Sequence, residues 1–335
     1  MFPIDELRTV VDETRFSGVI TVSRSGRRLA ALSSGFADRA NERPNQIDTQ
    51  FAIASATKGL TALTVAGVIE SGQLALDTTL RSLIPVGLDL VDPDVTIEHL
   101  LGHTSGVGDY IDEDVLDDID AHLFELSPHM LQSPTDYLPL LVGRPQQSPP
   151  GERFKYNNSG FAMLAIAAEA ATGRSFYDLM HDLVLEPAGM TDTAFLRSDD
   201  LPSGAALGYV ESGRSNVFHL PVRGTGDGGL YSTAADLERL WASLFEGRIV
   251  SKATVDQLTT IRNPTPNGGI GYGLGFWVWP SGHTVEIHGC DAGVSCQTVH
   301  DRPSGVTYAV LANDSSGAWP IATYLDHHIE CGTFT

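Results

Sequence analysis

Residues 51–58 read Phe51-Ala52-Ile53-Ala54-Ser55-Ala56-Thr57-Lys58, a short apolar run followed by the start of a helical pattern. On a helix, residues three positions apart are neighbours on one face, so the Ser55 hydroxyl and the Lys58 amine can meet. A serine hydroxyl is a poor nucleophile at neutral pH, and a lysine can act as its base when burial or a neighbouring cation lowers the lysine pKa. The spacing therefore predicts a nucleophile and its base at a helix N-terminus.

The scarcity of lysine supports this interpretation. Lys58, Lys155 and Lys252 are the only three lysines, against eighteen arginines. Because an arginine does not release its proton, a lysine at position 58 indicates a role that arginine cannot fill. The alternative is that Lys58 is a surface charge in a first helical turn, where a cation is mildly unfavourable.

Composition narrows the class of protein. The chain has 335 residues, 42% of them hydrophobic, which is enough for one large domain or two ordinary ones. Its 42 acidic residues outnumber 21 Lys plus Arg, for a formal net charge of −21, and such a surface repels phosphate backbones and anionic lipid. We expect a small-molecule substrate and neither a nucleic acid nor a membrane as partner. The oligomeric state stays open.

The first residues of the chain and its cysteines indicate the cellular compartment of the protein. Residues 1–6 lack the basic patch and apolar run of a secretory signal, and no run of 18 or more apolar residues follows. Cys290, Cys296 and Cys331 are too few and too unevenly spaced for a disulfide framework. These features predict a cytoplasmic protein, unless a leader has been removed.

Hydrophobic periodicity predicts strands at both ends of the chain around a helical middle. Strands are predicted at 16–23, 28–36, 271–279, 284–288, 294–300 and 306–312, and helices at 55–70, 159–172, 175–185, 233–246 and 319–330. This pattern suggests a sheet lobe from residues 1–76 and 222–335, a helical lobe from residues 77–221, and an active site in the cleft between them.

Three clusters follow the order of known motifs. They are Ser55-Ala56-Thr57-Lys58, Tyr156-Asn157-Asn158 and His288-Gly289-Cys290, and residues 100–106, 227–233 and 271–275 add further similarity. The chain resembles the serine β-lactamase and penicillin-binding-protein superfamily, in the branch of class C β-lactamases, DD-carboxypeptidases, D-aminopeptidases and family VIII esterases. The resemblance implies the α/β β-lactamase/transpeptidase-like fold, an antiparallel sheet flanked by helices plus an inserted, mostly helical lobe.

The resemblance also implies roles for the first two motifs. Ser55 would carry the acyl group, Lys58 and Tyr156 would share acid/base duty, and the Asn158 amide would touch the substrate carbonyl and Lys58. We expect the lysine ammonium to lower the pKa of the Tyr156 phenol. The alternatives are a half-buried loop aromatic at Tyr156, and Asn158 or Ser159 as the N-cap of the next helix.

The third motif departs from the family pattern. His288 stands where many β-lactamases carry a lysine, and because a histidine is mostly neutral at pH 7, we expect weaker capture of a substrate carboxylate. Gly289 permits close approach of the substrate to the strand edge. Cys290 replaces a glycine, and its side chain would either narrow the site or point behind the strand. The N–H groups of Ser55 and of Cys290 or Asp291 would form the oxyanion hole.

The predicted function is therefore a serine hydrolase without cofactor or metal, acting on a small ester, amide or D-amino-acid peptide. Alternatives are a β-lactamase or DD-carboxypeptidase, an acyltransferase, and a penicillin-binding-like module that binds a ligand without turnover. His99 and His103 have a spacing that could bind a metal, but no third ligand is evident, so we expect structural roles for them. The acidic run 112–120 is expected to be exposed.

Overall fold

The computed structural model describes residues 2–84, 87–264 and 269–334. The strands are β1 Gly18–Arg24, β2 Arg27–Ser34, β3 Phe36–Asp38, β4 Arg43–Pro44, β5 Phe51–Ala52, β6 Tyr231–Ser232, β7 Asn263–Pro264, β8 Gly271–Tyr272, β9 Trp277–Val278, β10 Thr284–Asp291, β11 Val294–Asp301 and β12 Val306–Ala312. The α-helices are α1 Ile4–Thr14, α2 Thr57–Glu70, α3 Leu80–Leu83, α4 Ile97–Leu101, α5 Leu138–Leu141, α6 Asn158–Thr172, α7 Phe176–Met180, α8 Glu186–Ala188, α9 Ala234–Glu246, α10 Lys252–Leu258 and α11 Ala318–Glu330. Short 3₁₀ turns lie at Ala54–Ala56, Ile119–Ala121, Pro128–Met130 and Pro134–Tyr137.

Within the described residues, eight strands form one sheet in the order β2-β1-β12-β11-β10-β9-β8-β7. Neighbouring strands pair antiparallel, and β1 pairs with β12 along its whole length, from Gly18 with Ala312 to Arg24 with Val306. The first and last strands of the chain are therefore neighbours, second and third from one edge of the sheet. The predicted α/β fold with an antiparallel sheet flanked by helices is confirmed.

Helices cover both faces of the sheet. The larger apolar core joins α2, α6 and α9 to one face, and a second core packs α1 and α11 on the opposite face. Because both faces are covered, β1 and β12 are buried almost throughout, which explains their continuous β-branched and apolar runs. No helix within the described ranges has both the length and the apolar character needed to cross a bilayer.

Helix α2 lies deep in the larger core, and every residue from Thr57 to Ala66 is buried. Gly59 permits this position, because a Cβ there would lie 2.6 Å from a methyl carbon of Ile287 on β10. The first turn of α2 is thus pressed against the strand that carries the third motif. The division into a sheet lobe and a helical lobe stays a prediction. Leu60 of the predicted sheet lobe and Phe161 of the predicted helical lobe lie in the same apolar core.

Two predicted elements differ in detail. The strand expected at 271–279 is two short strands, β8 and β9, which pair with each other. Gly275 lies between them with φ +91°, and a Cβ there would lie 2.2 Å from that of Ala62, so the chain turns where only glycine fits. The helix expected at 175–185 is the short α7, which continues as a π-helical turn at His181–Leu185.

Candidate active site

The Ser55 hydroxyl and the Lys58 amine meet as the spacing predicts. Ser55 lies in the 3₁₀ turn Ala54–Ala56 that connects β5 to α2, and Lys58 Nζ is 2.9 Å from Ser55 Oγ. The Lys58 side chain is buried, with 2% relative exposure. The alternative of a surface charge is therefore wrong.

Three oxygen acceptors surround the Lys58 nitrogen. Besides Ser55 Oγ, Nζ donates to Asn158 Oδ1 and to the main-chain oxygen of Asp227, both at 2.7 Å. Burial lowers the pKa of Lys58, and nearby carboxylates, Asp227 first, partly oppose this effect. The amine is oriented toward the nucleophile and loses its proton more easily than an exposed lysine.

Tyr156 lies close to both Lys58 and Ser55. Its ring centroid is 4.9 Å from Lys58 Nζ, and Tyr156 and Ser55 line the same pocket. The pKa of Tyr156 is well above 10, because burial and then the Glu113 carboxylate both disfavour the phenolate. The expectation of a lowered phenol pKa is wrong: burial outweighs the nearby ammonium. Tyr156 is a neutral phenol that can relay a proton.

Aromatic rings hold the Tyr156 side chain in place. His103 lies 4.5 Å from it between ring centroids, and Trp277 stacks at 6.1 Å. His103 Nδ1 accepts a hydrogen bond from Asn157 N at 3.1 Å, and burial holds the pKa of His103 well below 6.5, so this ring is neutral. His99 has a separate role, because its Nδ1 accepts from Thr96 N in the cap of α4.

The N-terminus of α6 presents Asn158 to the site. The N-cap is Asn157, whose side chain accepts from Gly160 N at 2.6 Å, so the prediction of Asn158 or Ser159 as cap is wrong. Asp109 binds the same helix end, accepting from Asn158 N at 2.8 Å and Ser159 N at 2.9 Å. Because Asn157 is the cap, the Asn158 amide is available to Lys58.

Glu113 is a site residue that the sequence did not indicate. Asn158 Nδ2 donates to Ile111 O at 3.0 Å and to Glu113 Oε1 at 3.2 Å, which directs the amide oxygen toward Lys58. Residues 111–113 are held by an ion pair between Asp112 and Lys155 at 2.8 Å. The acidic run was expected to be exposed, and although Glu113 is exposed, its carboxylate reaches the site. No local pattern distinguishes it from its acidic neighbours.

Strand β10 brings the third motif against the Ser55 turn. A Cβ at Gly289 would lie 2.5 Å from both Ser55 N and Ile53 O, so only glycine permits this approach. The His288 ring stacks on Trp277 at 5.3 Å, and its Nδ1 lies 2.9 Å from Glu286 Oε1. The Cys290 thiol donates to Ser315 O at 3.3 Å, yet Cys290 also lines the site.

Two pockets adjoin Ser55, which lines both of them. The inner pocket is lined by apolar side chains together with the acidic groups Glu113, Asp227 and Asp291. The outer pocket contains Tyr156, Trp277, His288 and Trp319, with the acidic Glu286 and Asp326. Ser55 and Cys290 line both pockets, Asn158 lines the inner one, and Tyr156, His288 and Gly289 line the outer one. Among the residues described, one group with metal-ligand spacing occurs, His181, Asp182 and Glu186, and all three are exposed.

Comparisons with known proteins agree with this geometry. The fold is that of the β-lactamase-like class of proteins. The chain belongs to the Beta-lactamase family, whose model matches residues 5–329.

The chain is similar to a penicillin binding protein from Bacillus halodurans, with 34% identity, a TM-score of 0.89 and coverage of 96% of this chain and 99% of that one. It is 29% identical over 287 residues to penicillin-binding protein 4* of Bacillus subtilis (strain 168), covering 81% of this chain and 61% of that protein. It is also 29% identical over 265 residues to esterase EstB of Burkholderia gladioli, covering 68% of this chain and 65% of that protein. The chain therefore spans less than two thirds of the length of these two curated relatives.

Proposed function

We propose that the chain hydrolyses a small ester, amide or D-amino-acid peptide through an acyl-enzyme on Ser55. The observation that carries this proposal is the buried Lys58 amine 2.9 Å from the Ser55 hydroxyl oxygen. A buried lysine normally costs stability, and its retention next to a serine is expected where the amine must accept a proton.

Lys58 and Tyr156 act as one acid/base unit. Lys58, in its neutral form, accepts the Ser55 proton while Oγ bonds to the substrate carbonyl carbon. The carbon–oxygen or carbon–nitrogen bond to the leaving group then breaks, and the leaving group takes the proton through the Tyr156 phenol. Water attacks the acyl-enzyme with the same pair in reverse, which returns a proton to Ser55. Both groups act on the same hydroxyl, and because the high pKa of Tyr156 keeps its phenol protonated, Lys58 is the one of the two that titrates.

The developing oxyanion lies between the Ser55 turn and β10. The N–H of Ser55 and that of Cys290 or Asp291 are the donors in this proposal. The close approach at Gly289 supports it, because any side chain there would push β10 away from Ser55 N. Asn158 holds Lys58 and contacts the substrate carbonyl, and His288 lines the outer pocket on the leaving-group side.

The second candidate is a penicillin-binding protein or β-lactamase. The similarity to the Bacillus halodurans penicillin binding protein favours it. The charge around the site is less suited to a penicillin carboxylate. Glu286 and Asp326 line the outer pocket, and among the described residues that line it His288 is the one basic side chain. Acyl transfer to an acceptor other than water uses the same acyl-enzyme.

The test is to mix the protein with a p-nitrophenyl ester, nitrocefin and a fluorescent penicillin, each separately, and to follow turnover and intact mass. We expect ester turnover and a transient adduct that peptide mapping places on Ser55, with neither in Ser55→Ala. A stable penicillin adduct without turnover would favour the second candidate. Turnover by Ser55→Ala at the wild-type rate would exclude the proposed mechanism.

A further inference from the structure

The outer pocket extends from the nucleophile along β10 to helix α11. Ser55 and Tyr156 line it together with Trp319 and Asp326 of α11. Among the described residues, β9 pairs with β10 as far along as Glu286 and stops before the third motif. The leaving group of a substrate bound at Ser55 therefore has an open strand edge beside it and the outer pocket beyond.

Glu286 is a buried carboxylate in this pocket, and its side chain is 3% exposed. The Nδ1–H of His288 donates to Oε1 at 2.9 Å, and the Nε1–H of Trp279 donates to Oε2 at 2.7 Å. These two donors fix the orientation of the carboxylate. The indole is neutral and the imidazole supplies at most one positive charge, so the protein provides little to neutralise a second acid nearby.

Asp326 is that second acid. Its carboxylate accepts from the Tyr308 hydroxyl and from Gln297 Nε2, at 3.1 Å from the latter, and both donors are neutral. Burial raises the pKa of Asp326 to about 6, with the Tyr308 hydrogen bond opposing this effect, so the group is an anion at pH 8. Within residues 2–84, 87–264 and 269–334 it makes no ion pair. The outer pocket therefore has a net negative charge.

Aromatic rings form much of the remaining wall. Tyr156, Trp277 and Trp319 line the pocket, and the His288 ring stacks on Trp277 at 5.3 Å and stands edge-on to Trp319 at 6.3 Å. The negative face of an aromatic ring attracts an organic cation, and a cleft lined by one sign of charge concentrates ligands of the opposite sign. Carboxylates next to aromatic walls thus favour an alkylated ammonium group.

The strand sets the distance between this charge and the reacting centre. Gly289 lies against Ser55, since a Cβ there would be 2.5 Å from Ser55 N. Glu286 is three positions earlier on β10, and at about 3.3 Å per residue the separation along the strand is roughly 10 Å. A cation on a chain of a few carbons beyond the scissile bond spans this distance.

We propose that the outer pocket binds a cationic leaving group, the alcohol or amine part of the substrate that carries a trialkylammonium group on a short chain. The inference rests on the proposed function and names the leaving group that the same site prefers. Glu286 and Asp326 supply the charge, and the tryptophan side chains contact the alkyl groups. The cation takes no part in bond breaking: the alcohol or amine departs with its proton and its charged end unchanged.

The test uses butyrate esters in pairs that differ by one atom, nitrogen against carbon. Choline butyrate is compared with 3,3-dimethylbutyl butyrate, and 4-(trimethylammonio)butyl butyrate with 5,5-dimethylhexyl butyrate. The rates are measured in a pH-stat at pH 8, and each kcat/KM is divided by the ester's hydroxide-catalysed rate constant, which removes the inductive effect of the ammonium group. We expect the better cationic ester to exceed its carbon counterpart by at least about tenfold.

Two variants assign the preference to the acids. Asp326→Asn and Glu286→Gln each remove one negative charge and should each lower the ratio of cationic to neutral ester by at least about threefold. The matched control is Asp94→Asn, an equal charge change at an exposed residue outside both pockets, which should keep the wild-type ratio. An unchanged ratio in both acid variants would overturn the assignment to Glu286 and Asp326.

A measurement on the wild-type protein covers the case in which neither acid variant folds. Choline should inhibit hydrolysis of p-nitrophenyl butyrate at least about tenfold more strongly than 3,3-dimethylbutanol. Equal corrected rates for the cationic and neutral esters, both lost in Ser55→Ala, would overturn this inference and leave the proposed function standing. Hydrolysis of none of the esters, without any adduct on Ser55, would overturn both.

Discussion

The Asn158 amide oxygen lies 2.7 Å from the Lys58 amine, although the two residues are 100 positions apart in the chain. The amide is oriented from its other end, where its nitrogen donates to Ile111 O and Glu113. Lys58 is therefore positioned by the Asn158 side chain, whose own orientation is fixed by Ile111 and Glu113. This arrangement restricts the amine to the position next to Ser55, which is what a base needs in order to act without reorganisation.

Lys58→Arg should remove most of the activity. The guanidinium is larger than the buried site provides for, and it does not release its proton. We expect kcat/KM for a p-nitrophenyl ester to fall by roughly 10²–10⁴-fold, the range for loss of a positioned base. Lys252→Arg is the matched control, because Lys252 is exposed on α10, and it should keep wild-type rates. Wild-type rates in Lys58→Arg, with an unchanged melting temperature, would show that another group is the base.

The sequence motifs predict the residues that the proposed mechanism uses, but they do not predict the residues that orient them. The Ser55–Lys58 spacing brings the hydroxyl and the amine to one helical face, and the motif order indicates which residues line the cleft with them. Glu113 and Asp109 contact Asn158 only through the tertiary fold, and neither stands in a motif. The direction of the Tyr156 pKa depends on burial, which local sequence does not determine.

Tyr156→Phe should lower kcat while leaving the pH dependence in place. Since the pKa of Tyr156 is well above 10, the phenol stays protonated and serves as a relay. The rise of activity with pH then reports Lys58, whose amine must lose its proton. We expect kcat to fall by roughly 10²-fold, with an unchanged midpoint of the pH–rate profile and a similar melting temperature, since the ring contacts remain.

Tyr324→Phe is the control for this change, because it removes a hydroxyl from a half-buried tyrosine on α11 that lies outside both pockets. It should behave as wild type in rate and profile. A shifted or missing midpoint in Tyr156→Phe would mean that the phenol itself titrates during catalysis.

His288→Lys should increase reaction with substrates that carry a carboxylate. The new ammonium would face the outer pocket at the position of His288, although Glu286, now 2.9 Å from the imidazole, would neutralise part of its charge. We therefore expect a modest gain, about two- to tenfold, in the second-order rate of acylation by a penicillin. His283→Lys makes the same substitution at an exposed position and should give no gain. Equal rates in the two variants would remove His288 from the carboxylate site.

The Asp291 carboxylate lines the inner pocket, and within residues 2–84, 87–264 and 269–334 it makes no hydrogen bond and no ion pair. It should therefore make folding stability depend on pH. Burial raises the pKa of Asp291 from 3.8 to about 7, with Asp227 and Glu113 adding to the effect and Lys58 opposing it. Between these two pKa values the folded chain retains a proton that the unfolded chain has lost, so this group's contribution to stability falls as pH rises. Asp291→Asn lacks the carboxylate, so its folding stability should not fall with rising pH for this reason.

We expect Asp291→Asn to gain stability over wild type between pH 5 and pH 8, by a difference on the order of 2 kcal/mol in urea unfolding, since one pKa unit corresponds to about 1.4 kcal/mol. Asp117→Asn changes the same charge at an exposed position and should follow the wild-type pH dependence. A parallel pH dependence in wild type and Asp291→Asn would mean that the carboxylate is stabilised when ionised. In that case the folded protein would hold Asp291 as a carboxylate anion across this pH range without a cost in stability, and burial would not dominate the environment of this group.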